Sequence, residues 1–194
     1  MLYDTTGHRK YLTSPERDAF ITAASAADPE TATFGLTLAY SGARISEVLA
    51  TTPARLDYSV EGIVFRTLKR RRTDIFRVVP IPSPLLALIE EVHSVRSKQI
   101  DAELRDQRIW PWCRTTAWSR IKYLMQAAQI FGAQAMPKAL RHGLGVQGAA
   151  EAGIPLNVMQ KWMGHARIET TAIYANAVGK EERALASRLW RQNS

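Results

Sequence analysis

Basic side chains recur in four short segments whose residue types could bind an anion. In chain order, the segments are Gly42–Val48, Lys69–Arg72, Lys138–His142 and Gly164–Tyr174. Two guanidinium groups, those of Arg44 and Arg141, can clamp the oxygens of a phosphate through bidentate, charge-assisted hydrogen bonds. A helix that starts beside Arg44 would add N–H donors and a favourable dipole to the same site. The pattern therefore favours binding of a phosphate group.

Each of these side chains also has an ordinary structural interpretation. Arg44 could be a solvated residue at a helix start that pairs with Glu47, three positions on. Arg141 could lie on the surface of a basic helix, and His165 could satisfy the last carbonyls of the helix that Gly164 ends. A helical tyrosine is most often a half-buried aromatic residue. Taken one at a time, the residues favour these structural interpretations.

Taken together, the four segments resemble the catalytic domain of the tyrosine recombinases, the phage integrase family. The order is that of the family: an arginine, a hairpin lysine, a His/Lys-x-x-Arg motif, and a Gly-His segment that ends in a tyrosine. The resemblance covers residues from Thr13 to Trp190. Its most specific part is the last, in which His165 precedes Tyr174 by nine positions. One such motif alone would be unspecific, whereas four in order identify the chain as a member.

The resemblance implies a role for each residue. Tyr174 attacks a DNA phosphate and gives a 3′-phosphotyrosyl link and a free 5′-hydroxyl, while Arg44 and Arg141 clamp the non-bridging oxygens. His165 is a further phosphate donor, and Lys69 protonates the leaving 5′ oxygen. The bond energy is conserved, and arginines and lysines supply all the charge stabilisation. The mechanism therefore requires neither a metal ion nor ATP, and we expect no cofactor.

Two positions leave alternatives open. Lys69 is followed by Arg70, Arg71 and Arg72, for which we expect a grip on backbone phosphates without catalysis, and Lys69 could belong to the same solvated hairpin tip. Lys138 stands where most family members carry histidine. It could take the tyrosyl proton only if its pKa were lowered, so donation to a phosphate and capping of the helix after a proline are the alternatives.

Several other polar and aromatic residues are expected to have roles outside the chemical step. His142 lies beside Arg141, and we expect it to support the site through a hydrogen bond rather than to touch phosphate. Trp110, Trp112 and Trp118 could stack on bases, but core packing is favoured for a protein that binds duplex DNA. The single cysteine, Cys113, has no disulfide partner and no zinc-ligand spacing around it.

Composition bounds the class of protein. The chain has 194 residues, enough for one domain, and is 46% hydrophobic, which excludes a largely disordered protein. Its 26 Lys and Arg against 18 Asp and Glu give a net charge of +8, which favours a polyanionic partner. No apolar stretch is long enough to span a bilayer and no secretory signal is visible, so we expect a cytoplasmic protein without a membrane partner.

Capping residues, glycines and apolar periodicity predict a mainly helical chain. The predicted helices run over residues 13–27, 30–40, 44–49, 85–96, 115–130, 138–152, 156–163, 169–175 and 181–190. Two β-branched and aromatic runs, 63–65 and 76–79, flank the charged segment 69–74. Such a pattern is typical of an antiparallel β-hairpin with a basic tip.

We therefore expect a mainly α-helical domain with one small antiparallel β-sheet, the α+β fold of a tyrosine recombinase catalytic domain. The domain is expected over residues 13–194, after a short N-terminal extension, 1–12, and without a separate N-terminal core-binding domain. A C-terminal helix, 180–191, would pack on its own core or dock on a neighbouring subunit. The expected partner is double-stranded DNA, on which a monomer would assemble into a homo-oligomer. Typical family members carry a separate helical domain that closes the other half of a clamp around DNA, and an accessory DNA-binding protein could take its place.

The implied activity is site-specific DNA recombination. Strand cleavage and rejoining through a phosphotyrosyl intermediate could serve integration, excision, inversion or resolution. Two alternatives stay open at this point: strand relaxation of the type IB topoisomerase kind, which religates the original strand, and a catalytically idle DNA-binding accessory of the same fold. Formation of a covalent adduct separates the last from the other two.

Overall fold

The first two helices begin at side chains that cap them. In the computed structural model of the protein, which describes residues 2–67 and 75–175 together with Ser187, helix α1 spans Ser14–Ser25 and helix α2 spans Pro29–Ser41. The Thr13 hydroxyl and the Glu16 carboxylate each accept a backbone N–H from the other residue, which is a capping box. Asp28 accepts the N–H of Thr31 at 3.0 Å. Both predicted helices are confirmed.

Helix α2 is the centre of the main core. Its residues are almost all buried, and it packs against α1 and against four later helices described below. Phe34 contacts the buried ring of Trp110 edge-on, with ring centroids 5.5 Å apart. Small and apolar residues occupy its whole circumference, so the helix can be covered on all sides and runs through the middle.

A tight turn at Gly42 redirects the chain after α2. Gly42 has a φ of 59°, and its N–H donates to the Leu38 carbonyl at 3.1 Å. Helix α3, Ile45–Leu49, then begins at once with Arg44 as its N-cap residue. A Cβ at position 42 would lie 2.6 Å from a methyl carbon of Leu144, so the turn is also a point of close packing. The turn thereby sets the direction of Arg44.

The sheet has three antiparallel strands in the order β1–β2–β3. They are β1, Leu56–Asp57, β2, Gly62–Arg66, and β3, Phe76–Pro80. In the β2–β3 register Ile63 pairs with Val79 and Phe65 pairs with Arg77. The predicted hairpin is confirmed, but β1 follows a single 3₁₀ turn and is too short for sequence periodicity to reveal. The predicted hairpin tip, with Lys69 and the arginines 70–72, lies outside the described residues.

The helices after the sheet differ in part from those expected. They are α4, Ser83–His93, α5, Val95–Ile100, α6, Arg114–Ala127, α7, Pro137–Val146, α8, Leu156–Met163, and α9, Glu169–Ala172. The single helix predicted over 85–96 is wrong, because Ser94 adopts a φ of 50° and separates α4 from α5. Helix α7 ends earlier than predicted, in a π-helical turn, Gln147–Glu151.

The end of the described chain also corrects the sequence prediction. Helix α8 has the predicted bounds, but α9 stops at Ala172, so Tyr174 lies in a turn and not in a helix. The predicted helix 180–191 falls outside the described residues. Among the described residues, no helix is both long and apolar enough to cross a lipid bilayer.

A second, smaller core lies beside the main one. It consists of Leu2, Tyr11, Val146, Met159, Met163 and Tyr174. The N-terminal segment therefore packs against the helices α7 and α8 and against the turn that carries Tyr174. Helix α2 contacts α7 on the other side, so α7 is shared between the two cores.

We predict that Gly42→Ala destabilises the protein more than Gly153→Ala. Both glycines have positive φ, 59° and 63°, so either alanine is strained by about 1–2 kcal/mol. At Gly153 the new Cβ has nothing within 4 Å, whereas at Gly42 it meets Leu144. Urea unfolding of the two variants measures the difference. Equal losses would contradict a packing role for Gly42.

Candidate active site

One cleft collects five of the predicted site residues. It has a volume of roughly 740 Å³, and the five are Arg44, Lys138, Arg141, His165 and Tyr174. Arg44 comes from the start of α3, Lys138 and Arg141 from α7, and the other two from the segment after α8. Residues 69–72 are not described, so their place relative to the cleft stays a prediction.

Arg141 is fixed at the floor of the cleft by main-chain oxygens. Its Nη1 donates to the Gly42 carbonyl at 2.7 Å and its Nη2 donates to the Met163 carbonyl. Both oxygens belong to the ends of helices, where carbonyls are left without partners and the dipole favours a cation. The residue is 7% exposed, so the interpretation as a surface arginine is wrong. Burial lowers the pKa of Arg141 to about 10, which leaves it charged at neutral pH.

His165 is held in one tautomer by contacts at its two ring nitrogens. Its Nε2 lies 2.9 Å from Arg141 Nη2, and its Nδ1 lies 2.9 Å from the Thr171 hydroxyl. A guanidinium can only donate, so Nε2 accepts and the ring proton resides on Nδ1. Burial, followed by the charges of Arg141 and Arg44, lowers the pKa of His165 to about 3, and the ring is neutral. Its predicted role as a donor to phosphate would require a proton on Nε2.

A buried ion-pair network joins Arg44 to the sheet. The Glu47 carboxylate lies 2.8 Å from Arg44 Nη1 and 2.7 Å from Arg77 Nη2, and it also accepts the Arg44 backbone N–H at 2.9 Å. Burial alone would raise the pKa of Glu47, but the charge and hydrogen bond of Arg77 lower it below its usual value. The Arg44–Glu47 pair considered as a structural alternative is therefore present, and Arg44 lines the cleft as well.

Arg77 is the residue of this network that sequence reasoning missed. Its Nε donates to the Trp162 carbonyl at 2.7 Å and its Nη1 donates to the Thr67 hydroxyl at 3.0 Å. One signal in the sequence could have indicated that Arg77 is buried. It lies two positions before the apolar Val79, and residues i and i+2 of a strand face the same side of a sheet. Gly164, with a φ of 61°, leaves room for the guanidinium, since a Cβ there would lie 3.0 Å from Arg77 Cζ.

Tyr174 is held by contacts on both sides of its ring. The ring stacks on His165 with centroids 6.2 Å apart, and a Cβ at Gly145 would lie 2.7 Å from its Cε1 and Cζ. Its hydroxyl is 3.0 Å from His142 Nδ1, the hydrogen bond expected of His142. Tyr174 is 1% exposed, and burial raises the pKa of its phenol to about 12.

The mouth of the cleft is more exposed and basic. Lys138 is exposed there, and the sequence analysis missed Arg114 and Met136, which lie on the same rim. Trp118 also lines the mouth and is 46% exposed, so core packing is wrong for this tryptophan although it holds for Trp110. Helix α6 turns Trp118 outward because the neighbouring Ala117 takes the buried position.

Within residues 2–67 and 75–175, no group of three or more His, Cys, Asp or Glu side chains is placed to hold a metal ion. Among the described residues that line the cleft, the charged groups are chiefly cations, and the buried carboxylate of Glu47 is already paired with Arg44 and Arg77. Such an arrangement can bind an anion beside the Tyr174 hydroxyl.

Comparison with known proteins decides the family. A family model described as the Phage integrase family matches residues 10–181. The chain belongs to this family. The resemblance seen in the four sequence segments is thereby confirmed.

Relatives of this phage integrase family member include recombinases of known structure. Tyrosine recombinase XerD of Yersinia pestis is 27% identical over 151 residues, which are 75% of this chain and 49% of that protein. The chain thus spans about half the length of the curated relatives it matches. XerA recombinase has a TM-score of 0.74 at 23% identity, with 92% of this chain and 62% of that chain covered.

A further structure, of XerH site-specific recombinase bound to palindromic difH substrate after cleavage, has a TM-score of 0.71 at 16% identity. The match covers 94% of this chain and 53% of that one. At these identities the likeness shows a common fold. The predicted fold class, mainly α with a small antiparallel sheet, is confirmed.

We predict that Arg77→Met lowers the free energy of unfolding by about 3–5 kcal/mol, because it leaves a buried carboxylate with one of its two partners removed. The control is Arg105→Met, which removes an exposed ion pair with Asp106 and should change stability by less than about 1 kcal/mol. Urea unfolding at neutral pH measures both. Equal effects would mean that the Glu47 network does not hold the sheet to the helices.

Proposed function

We propose that this protein is a site-specific recombinase that cleaves and rejoins DNA strands, with Tyr174 as the nucleophile. The observation that carries the proposal is the meeting of Arg44, Arg141 and the Tyr174 hydroxyl in one cleft. Membership of the phage integrase family supports it. The XerH structure, which holds difH substrate after cleavage, supports DNA as the partner.

In the proposed reaction two arginines bind the scissile phosphate. Attack by the phenol oxygen builds negative charge on the non-bridging oxygens, and guanidinium groups stabilise that charge through preorganised donors. Arg141 suits this role because the carbonyls of Gly42 and Met163 already hold it in place. Arg44 suits it because Glu47 fixes one side of its guanidinium while part of the side chain stays exposed.

Further basic residues complete the proposed mechanism. Lys69 protonates the leaving 5′ oxygen, and Lys138 donates to the phosphate or mediates proton transfer. His165 binds the phosphate once an incoming anion favours a proton on its Nε2. The arginines 70–72 grip the DNA backbone. The phosphotyrosyl link stores the energy of the cleaved bond, so a 5′-hydroxyl of a partner strand can restore a phosphodiester.

Assembly is part of the proposal. Recombination exchanges strands between two DNA sites, so several copies of the chain must act together on DNA. In free solution we expect a monomer. The segment 180–191 is the proposed contact between neighbouring subunits. An accessory DNA-binding protein is a further proposed partner, which would strengthen the grip on the duplex.

We predict that Tyr174→Phe binds duplex DNA as the unchanged protein does but forms no covalent protein–DNA adduct, because only the nucleophilic oxygen is removed. Tyr123→Phe is the matched control, since Tyr123 is 64% exposed and does not line the cleft. A nicked substrate that traps the covalent product, resolved by denaturing electrophoresis, reports the adduct. An adduct in Tyr174→Phe at the level of the control would refute the proposal, and its absence from both variants and from the unchanged protein would favour an idle DNA-binding accessory.

The role of Lys69 has a separate test. Lys69→Ala is expected to cleave ordinary DNA about 10²-fold more slowly and to recover on a substrate whose leaving 5′ oxygen is replaced by sulfur, which departs without a proton. Arg71→Ala serves as the control and should show no preference for the sulfur substrate. If Lys69→Ala is equally slow on both substrates, another residue is the acid.

A further inference from the structure

The Tyr174 hydroxyl has a specific partner at the floor of the cleft. Among the hydrogen bonds between described residues, Tyr174 Oη has one, to His142 Nδ1 at 3.0 Å. His142 follows Arg141 in helix α7 and lines the same cleft. Gly145, one turn further along α7, leaves space for the Tyr174 ring. The Tyr174 ring is thus held with its hydroxyl oxygen within hydrogen-bond distance of the His142 imidazole.

We propose that His142 holds the Tyr174 hydroxyl and accepts its proton when the phenol oxygen attacks the phosphate, a role that rests on the proposed function above. In that step the O–H bond of Tyr174 breaks and its proton moves to Nδ1, while the oxygen forms a bond to phosphorus. The bond from phosphorus to the 5′ oxygen breaks, and that oxygen takes a proton from Lys69. In rejoining, the imidazolium returns the proton to the departing phenol oxygen.

Two other candidates for the proton acceptor, His165 and Lys138, are less well placed. His165 Nδ1 carries the ring proton, and its Nε2 already accepts from Arg141. Lys138 is exposed at the mouth of the cleft, and no hydrogen bond between described residues joins it to Tyr174. It occupies the position where the resemblance leads one to expect a histidine. His142, four positions later on α7, has its Nδ1 in contact with the nucleophile.

The electrostatics explain why the proton stays on the phenol until DNA binds. Burial, and then the charges of Lys138 and Arg141, lower the pKa of His142 to about 4. Burial raises the pKa of Tyr174 to about 12. Both groups are therefore neutral in the free protein. A phosphate in the cleft brings a negative charge beside these cations and favours the imidazolium, so transfer is coupled to binding and attack.

The tautomer of His142 decides whether its Nδ1 can accept the phenol proton. An acceptor needs a bare Nδ1 and therefore a proton on Nε2, which is buried and lacks a hydrogen-bond partner among the described residues. An unpaired buried donor costs about 1–3 kcal/mol. In the other tautomer Nδ1–H donates to Tyr174, and the bare Nε2 is then an unpaired buried acceptor at a similar cost. That tautomer leaves no lone pair on Nδ1 for the phenol proton, so it is incompatible with proton acceptance by His142.

The kinetic test combines His142→Asn with a more acidic phenol at position 174. The Asn side chain can occupy the place of Nδ1 and bond the hydroxyl, but it cannot accept a proton. With tyrosine at 174, His142→Asn is expected to form adduct about 10²-fold more slowly in single-turnover experiments, at unchanged duplex affinity. With 3,5-difluorotyrosine, whose phenol needs less help to ionise, the loss should fall below about tenfold.

The outcomes separate this inference from the proposed function. A loss that is the same with both phenols, or a variant that cleaves as fast as or faster than the unchanged protein, would overturn proton acceptance by His142 and leave the nucleophile in place. An unchanged protein that forms no adduct with either phenol would overturn the proposed function itself. If His142→Asn does not fold, nitrogen-15 NMR of the unchanged protein decides: a proton on Nε2 supports the inference and one on Nδ1 overturns it.

Discussion

The buried carboxylate of Glu47 is the interaction on which the rest of the cleft depends. It binds Arg44 at the start of α3 and Arg77 in β3, and Arg77 continues to the Trp162 carbonyl at the end of α8. Taking such charges out of water costs several kcal/mol per ion, and only close pairing with further hydrogen bonds offsets it. The pairing therefore has one geometry, which holds the sheet, α3 and α8 together. The segment that follows α8 carries His165 and Tyr174, so their positions rest on the same network.

An excess of positive charge is the second constraint. Arg141 is bound by carbonyl oxygens and by a neutral histidine rather than by a carboxylate, so its charge is only partly compensated. Its proximity, after burial, keeps the pKa of His165 at about 3 and contributes to the low pKa of His142. Rigid donors around an uncompensated charge need little rearrangement to receive a phosphate. A bound phosphate would compensate this charge.

Sequence reasoning succeeded where the signal is local and failed where it is tertiary. The turn at Gly42, the strand pair and the bounds of α8 follow from caps, glycines and periodicity, and the motifs led to five of the residues that line the cleft. The Arg77–Glu47 pair joins residues 30 positions apart, and the contact of His142 with Tyr174 joins residues 32 positions apart. No local pattern encodes such pairs. The helix expected through Tyr174 failed for a related reason, because packing on the second core and not helix propensity decides where that residue lies.

We expect Tyr174 to become covalently linked to DNA in this cleft. The most direct measurement is mass spectrometry of the trapped adduct after digestion with protease and nuclease. The expected result is one modified peptide, with a nucleotide joined through its 3′ phosphate to the Tyr174 oxygen. A nucleotide on any other residue, or bound duplex with no modified peptide, would contradict it.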